Sequence, residues 1–330
     1  MSVNVQHLAE WVPIQIHWER DQPRIDWCWV GKRRFTEPFF DQTIDICMRL
    51  PFTNLIRPQT TIDALLDRHE FKPGLQPRGF IFHMSRCGST LLSQMLAALP
   101  NNVVISEAGM IDSVLRAKFR RSMLSDDQRA DWLRWTISAL GQKRSGNEKN
   151  LFIKFDSWNV LDFPVINRAF PDVPWIFMYR NPIEVLVSQF ARRGAHMVPG
   201  GVEPQLFDFT HDQVFNMQPE EYCARVLART CEAALHHHRS HPGLLVNYDQ
   251  LPAVAWTGVT DFFGVDVTDT DREVFIGVSK LNAKNPGLGF ESDSQTKQQR
   301  ASEALREASG KWLSPLYERL EAARLGDAAP

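Results

Sequence analysis

The sequence has little that would anchor it in a membrane or lock it covalently. No stretch approaches the roughly 20 consecutive apolar residues that a bilayer-spanning helix needs. The N-terminal MSVNVQHLAEW has neither the basic region nor the apolar core of a secretory signal. A soluble, cytoplasmic protein is expected. Cysteine is scarce: Cys28, Cys47, Cys87, Cys223 and Cys231 are odd in number, scattered and never spaced as C-x-x-C. That argues against a disulfide framework and a zinc site, so free thiols and no metal are expected. An excess of one charge is missing too. With 37 Lys and Arg against 39 Asp and Glu the net charge is -2, so no overall basic field draws nucleic acid or an anionic membrane, and any anion must be met locally. Repeats and low-complexity tracts are absent. What is there is an ordinary globular composition, 43% hydrophobic over 330 residues, enough for one large domain or two smaller ones.

The chain is organised around residues 79–99, GFIFHMSRCGSTLLSQMLAAL. Residues 79–84 form an apolar run suited to a buried strand, and 90–99 carry apolar residues at helical spacing. Between them lie Ser85, Arg86, Cys87, Gly88, Ser89 and Thr90. A strand that stops in a small polar loop and feeds a helix aims backbone N–H groups and the positive end of the helix dipole at one point, which suits an anion. Arg86 and the hydroxyls of Ser85, Ser89 and Thr90 add donors that phosphate or sulfate oxygens accept. The loop is not a Walker loop, because Ser89 stands where Lys is required. It is not a thiol phosphatase loop either, since no Arg follows Cys87 through residue 98; Cys87 reads as a small loop residue.

Taken in order, residues 1–75 read as a β-rich accessory module. Val12, Ile14, Ile16 and Trp18 alternate, as do Ile25, Trp27 and Trp29, with Asp21-Gln22-Pro23 between them, which marks a hairpin. Its tryptophans are expected to bury the module against its neighbour. A short helix is expected at 63–69 and a Pro- and Gly-containing linker at 71–77. From 76 to 330 strands alternate with helices: strands at 103–106, 151–156, 175–179 and 243–248, a capping box at Ser125 and Gln128, and a long helix from 219 to about 238. Residues 194–218 and 282–297 read as loops, and His236, His237 and His238 as a basic helix end matching the dipole. Connections long enough to cross over indicate an α/β fold with a parallel sheet covered by helices on both faces. In such sheets ligands collect beyond the carboxyl ends of the strands, where Arg86, Glu107, Lys154, Asp156, Arg180 and Tyr248 fall. His83 lies inside the first strand and is expected to pack.

Two segments carry a family resemblance. SRCGSTLL at 85–92 resembles the 5′-phosphosulfate loop of sulfotransferases, R-S-G-S/T-T-L, with Cys87 in place of Ser. YRNPIEVLVSQ at 179–189 resembles their 3′-phosphate motif, an Arg ending a strand and a Ser eight residues later, here Arg180 and Ser188. The pair covers about 79–250, in the family's order. The resemblance implies 3′-phosphoadenosine-5′-phosphosulfate (PAPS) as donor, no metal, and a hydroxyl of a small molecule as acceptor. It further implies Glu107 as a base similar to that of the tyrosylprotein branch, Arg86 and Lys154 near the transferred group, and Tyr248, in VNYDQL, against adenine. Asp156 is the next base. The Lys and the K-T-H segment of the cytosolic steroid and phenol enzymes are missing, as is their R-K-G signature, for which Lys297 is the nearest stand-in. The accessory module is expected to shape the acceptor pocket or a homo-oligomer contact. An ATP-dependent small-molecule kinase and a non-catalytic nucleotide-binding module are the alternatives.

Overall fold

A computed structural model describes residues 8–20, 22–121, 123–289 and 293–326. Its centre is a parallel sheet of five strands: β4 (Pro77–His83), β5 (Asn102–Ser106), β6 (Asn150–Lys154), β7 (Trp175–Tyr179) and β8 (Leu244–Asn247), in the order β5-β6-β4-β7-β8. The strands are almost wholly buried apolar runs, as a sheet covered on both faces requires. Register sets Ser106 beside Lys154 and Tyr179 beside Asn247, so the strand ends that carry the polar groups lie along one edge. The chain leaves β4 toward β5 on one side and later reaches β7 on the other. β4 therefore ends at a point where the winding direction reverses, the usual place for a ligand crevice.

Ahead of this sheet, β1 (Trp11–Glu19), β2 (Gln22–Trp29) and β3 (Gln59–Thr61) form an antiparallel sheet. The hairpin follows its alternating pattern; Asp21, in its expected turn, lies outside the described residues. Trp27 is buried and donates from Nε1 to Thr60 Oγ1 at 2.8 Å. Trp18 meets Trp132 on the Asp126–Leu140 helix with ring centroids 6.3 Å apart. These tryptophans pack rather than form an open aromatic surface.

Several loops expected from the sequence are more ordered. Residues 194–218 contain two short 3-10 turns and the helix His211–Asn216. Residues 282–297 contain parts of a small hairpin, β9 (Leu281–Asn282) with β10 (Asn285–Gly289), and of the helix Ser294–Arg300. At the histidine end of the Pro219–Ser240 helix, His237 does not join a basic terminus as expected. His237 is buried and stacked on Phe163 at 4.6 Å, and burial, with His236 and His241 nearby, pulls its pKa down to about 4. All five cysteines are buried free thiols. Among the described residues no helix is long and apolar enough to cross a membrane.

Candidate active site

The residues after β4 turn in an unusual way. Ser85 (φ +76°), Arg86 (φ +53°) and Gly88 (φ +85°) all adopt left-handed backbone. For Ser and Arg that conformation costs of order 1–3 kcal/mol each and persists only where the surroundings impose it. Successive residues of this kind form a concave nest of N–H groups. The amides of Arg86, Cys87 and Gly88 donate to no acceptor among the described residues. At Gly88 a Cβ would stand 2.5 Å from Leu251 Cδ1 and 2.9 Å from the Tyr248 ring, so glycine is required both for its φ and for space. The Ser89–Ala98 helix starts directly behind. Ser85 Oγ accepts from Gln189 Nε2 at 2.9 Å. Cys87 donates its thiol to the Met178 carbonyl at 3.1 Å, and burial pushes its pKa up to about 11, which makes it a structural group. Arg86 donates to the Arg192 carbonyl at 2.5 Å and has no carboxylate partner among the described residues.

Glu107 follows β5 in left-handed backbone (φ +54°), its N–H bonded to the Lys154 carbonyl at 2.7 Å. One carboxylate oxygen, Oε1, takes both the Lys154 ammonium and His83 Nε2, the latter at 3.3 Å. Oε2 has no protein partner among the described residues. Burial works against the charge of Glu107, but Lys154 and His83 more than offset it and hold the carboxyl well below the usual range. Lys154 itself is buried behind Glu107, with its ammonium 5.1 Å from the centre of the Phe39 ring. It is not itself among the residues that line the cavity and adjoins it through Glu107. His83 does line it, although its place in the strand suggested packing: it is the last residue of β4, where side chains meet the crevice. Asp156 also faces the cavity, and burial followed by the neighbouring Glu107 raises its pKa well above the ordinary value.

Arg180 follows β7 and is buried. Its Nε donates to Glu184 Oε2 at 2.6 Å, its guanidinium lies 3.9 Å from the centre of the Tyr248 ring, and one terminal nitrogen donates to Asp293 Oδ1 at 3.1 Å and Ser294 Oγ at 3.0 Å. Lys297 holds Oδ2 of the same Asp293 at 2.7 Å. Ser188, two turns into the Pro182–Ala191 helix, opens onto the same space. The cavity shared by the loop, Glu107, Arg180, Ser188, Tyr248 and Lys297 has a volume of about 620 Å³. Sequence reasoning missed Phe39, Trp158, His196, Lys284 and Asp293 on its walls. None of them stands at a strand end of the parallel sheet or repeats with a period. His196 is buried against Trp158, and burial pulls its pKa down to about 3.

Residues 77–269 match the model of the Sulfotransferase family. Among solved structures, the sulfotransferase domain of an olefin synthase from Synechococcus PCC 7002 aligns over 78% of this chain and 97% of its own, at 16% identity and a TM-score of 0.41. A sulfotransferase from Alicyclobacillus acidocaldarius aligns over 77% and 97%, at 14% identity and 0.44. A mouse sulfotransferase complexed with PAP aligns over 79% and 88%, at 12% identity and 0.38. No curated protein sequence matches.

Proposed function

This chain belongs to the sulfotransferase family, and on that premise we propose that it moves a sulfuryl group from PAPS to a hydroxyl of a small-molecule acceptor. The products are a sulfate ester and adenosine 3′,5′-bisphosphate. The observation that carries this reading is the convergence, in one cavity, of a left-handed amide nest, an Arg86 that has no carboxylate partner among the described residues, a strand-end Arg180 near a helix Ser188, and a carboxylate, Glu107, with one oxygen unpartnered among those residues. These residues suit the donor: the nest and Arg86 match the phosphosulfate, and Arg180 with Ser188 and Lys297 matches a second phosphate beside the aromatic face of Tyr248.

PAPS supplies the sulfuryl group on a phosphate leaving group; the protein supplies position and charge. The amides of Arg86, Cys87 and Gly88 hold the oxygens on which charge gathers. Glu107 Oε2 receives the acceptor proton. A carboxylate with a lowered pKa is a weak base, but in a loose transition state the hydroxyl becomes acidic as the new bond forms, so modest proton affinity suffices. Lys154 acts through Glu107, keeping it ionised. Phe39 and Trp158 give the acceptor apolar walls, and the accessory module thereby shapes its pocket.

Incubating the protein with PAPS or ATP and a metabolite extract tests the reading by mass spectrometry. Exact mass separates an added sulfuryl from a phosphoryl group, and phosphorylation alone would establish the kinase alternative. The donor assignment is checked by calorimetry: adenosine 3′,5′-bisphosphate is expected to bind at least about tenfold more tightly than AMP, the value of a charge-assisted contact. Arg180→Ala is expected to erase that difference, and a preference that survives it rules out Arg180 as the 3′-phosphate ligand.

A further inference from the structure

His83 closes β4 at the point where the anion loop meets the ends of β5 and β6. His83 is 4% exposed, and each ring nitrogen has a partner. Nδ1 lies 3.1 Å from the Ser85 backbone nitrogen, and Nε2 lies 3.1 Å from the Phe155 carbonyl oxygen and 3.3 Å from Glu107 Oε1. An amide N–H only donates and a carbonyl oxygen only accepts, so the two contacts together dictate the tautomer. The lone pair sits on Nδ1 and the proton on Nε2. A proton on Nδ1 would face the Ser85 N–H and leave Nε2 against two acceptors. Nε2–H is then shared between Phe155 and Glu107, a three-centre bond. Burial keeps the ring neutral by pulling its pKa below the ordinary value, outweighing the pull of Glu107.

We propose that His83 is a positioning residue: one neutral imidazole that holds Ser85 in its left-handed turn and Glu107 Oε1 at the same time, setting the anion loop and the base at a fixed separation. The hydrogen bonds stand by themselves, while the roles of loop and base rest on the sulfuryl-transfer reading. The device explains two otherwise separate features. Ser85 keeps a costly φ because its amide is bonded inward, away from the nest. Glu107, which lines the cavity, keeps Oε2 without a partner among the described residues because two N–H donors, from Lys154 and His83, both go to Oε1. Without His83 the carboxylate is left with Lys154 alone and is free to pivot about it.

The test uses the full chain with labelled histidine. Nitrogen NMR at neutral pH is expected to show one imidazole, absent from His83→Phe, in the Nε2–H form, with its Nε2 signal shifted by Glu107→Gln. A proton on Nδ1, or on both nitrogens, overturns the proposal. Two conservative variants separate the arms. The His83→Asn oxygen reaches roughly the place of Nδ1 and keeps the Ser85 bond, whereas His83→Gln reaches roughly the place of Nε2 and keeps the Glu107 bond. Adenosine 3′,5′-bisphosphate is expected to bind His83→Asn as it binds the parent, and His83→Gln about tenfold more weakly, the size of one lost bond supporting an anion nest. Equal affinities for the two variants also overturn it. A parent protein that shows the Nε2–H ring, shifted by Glu107→Gln, yet ignores the bisphosphate, removes the donor assignment and leaves the imidazole bridge in place.

Discussion

Glu107 is held between two demands. A base needs proton affinity, yet Lys154 and His83 hold this carboxyl below its ordinary range despite its burial. The consequence for stability has a definite sign. The folded pKa is below the unfolded one, so Glu107 contributes stability above the ordinary glutamate pKa, and that contribution fades as pH falls through the lower folded value. The consequence for turnover is that the acid limb of the rate profile should lie below the ordinary glutamate range. Glu107→Gln is expected to cut turnover of a weakly acidic alcohol by about 10² to 10⁴, with bisphosphate affinity nearly unchanged and an already ionised acceptor partly spared. Wild-type turnover in this variant, or loss of donor binding with activity, would remove Glu107 from the role of base. Its position was legible because it follows an apolar run directly. Its partner was not. Lys154 was read as standing near the transferred group, and its bond to Glu107 shows only once β6 is buried beside β5.

At the scale of elements, β7 was legible to the residue as 175–179, since an all-apolar run ends at Arg180-Asn181-Pro182 and Pro is tolerated in the first helical turn. The Asp126–Leu140 helix was legible from its capping box, with Ser125 Oγ accepting the Gln128 N–H at 3.2 Å. β3 is three residues long, too short to carry a period, and exists because β2 offers it an edge. The long helix ending at Ser240 shows how tertiary contact overrides local rules. Its final turn was read as basic, but stacking on Phe163 buries His237 and favours the neutral ring. With a folded pKa of about 4 against 6.5, the unfolded chain binds the extra proton between those values. Stability should therefore fall as pH drops through that window, by roughly 3 kcal/mol in full. His237→Phe keeps a ring on Phe163 and removes the titration. Its melting temperature should fall less between pH 7 and pH 5 than that of the parent, and an unchanged acid slope would refute the assignment.

Across the whole molecule, the cavity draws on both ends of the chain. Phe39 comes from the N-terminal region, Lys284 and Asp293 from the last third, and the two ammonium groups of Lys154 and Lys284 lie 5.1 and 6.0 Å from the same Phe39 ring. The cavity residues proposed to hold the donor were legible because they adjoin strands that hydrophobicity marks. The walls formed by Phe39, Lys284 and Asp293 were not, because these residues meet only once the two ends fold over the sheet. Phe39→Ala is expected to raise the KM for an apolar acceptor about tenfold, the value of a lost aromatic contact, while bisphosphate affinity stays near that of the parent. A shift in both would make Phe39 part of the donor site. Asp293 has a different consequence. Lodged between Arg180 and Lys297, it is a tethered competitor present at constant effective concentration, so a phosphate arriving there exchanges for a carboxylate rather than entering open water. Dissolved salt weakens the resident and the newcomer alike, and the affinity of this subsite should vary little with ionic strength. Asp293→Asn removes the competitor: bisphosphate binding should tighten about threefold to tenfold and become visibly salt-dependent, which titrations at two salt concentrations would measure.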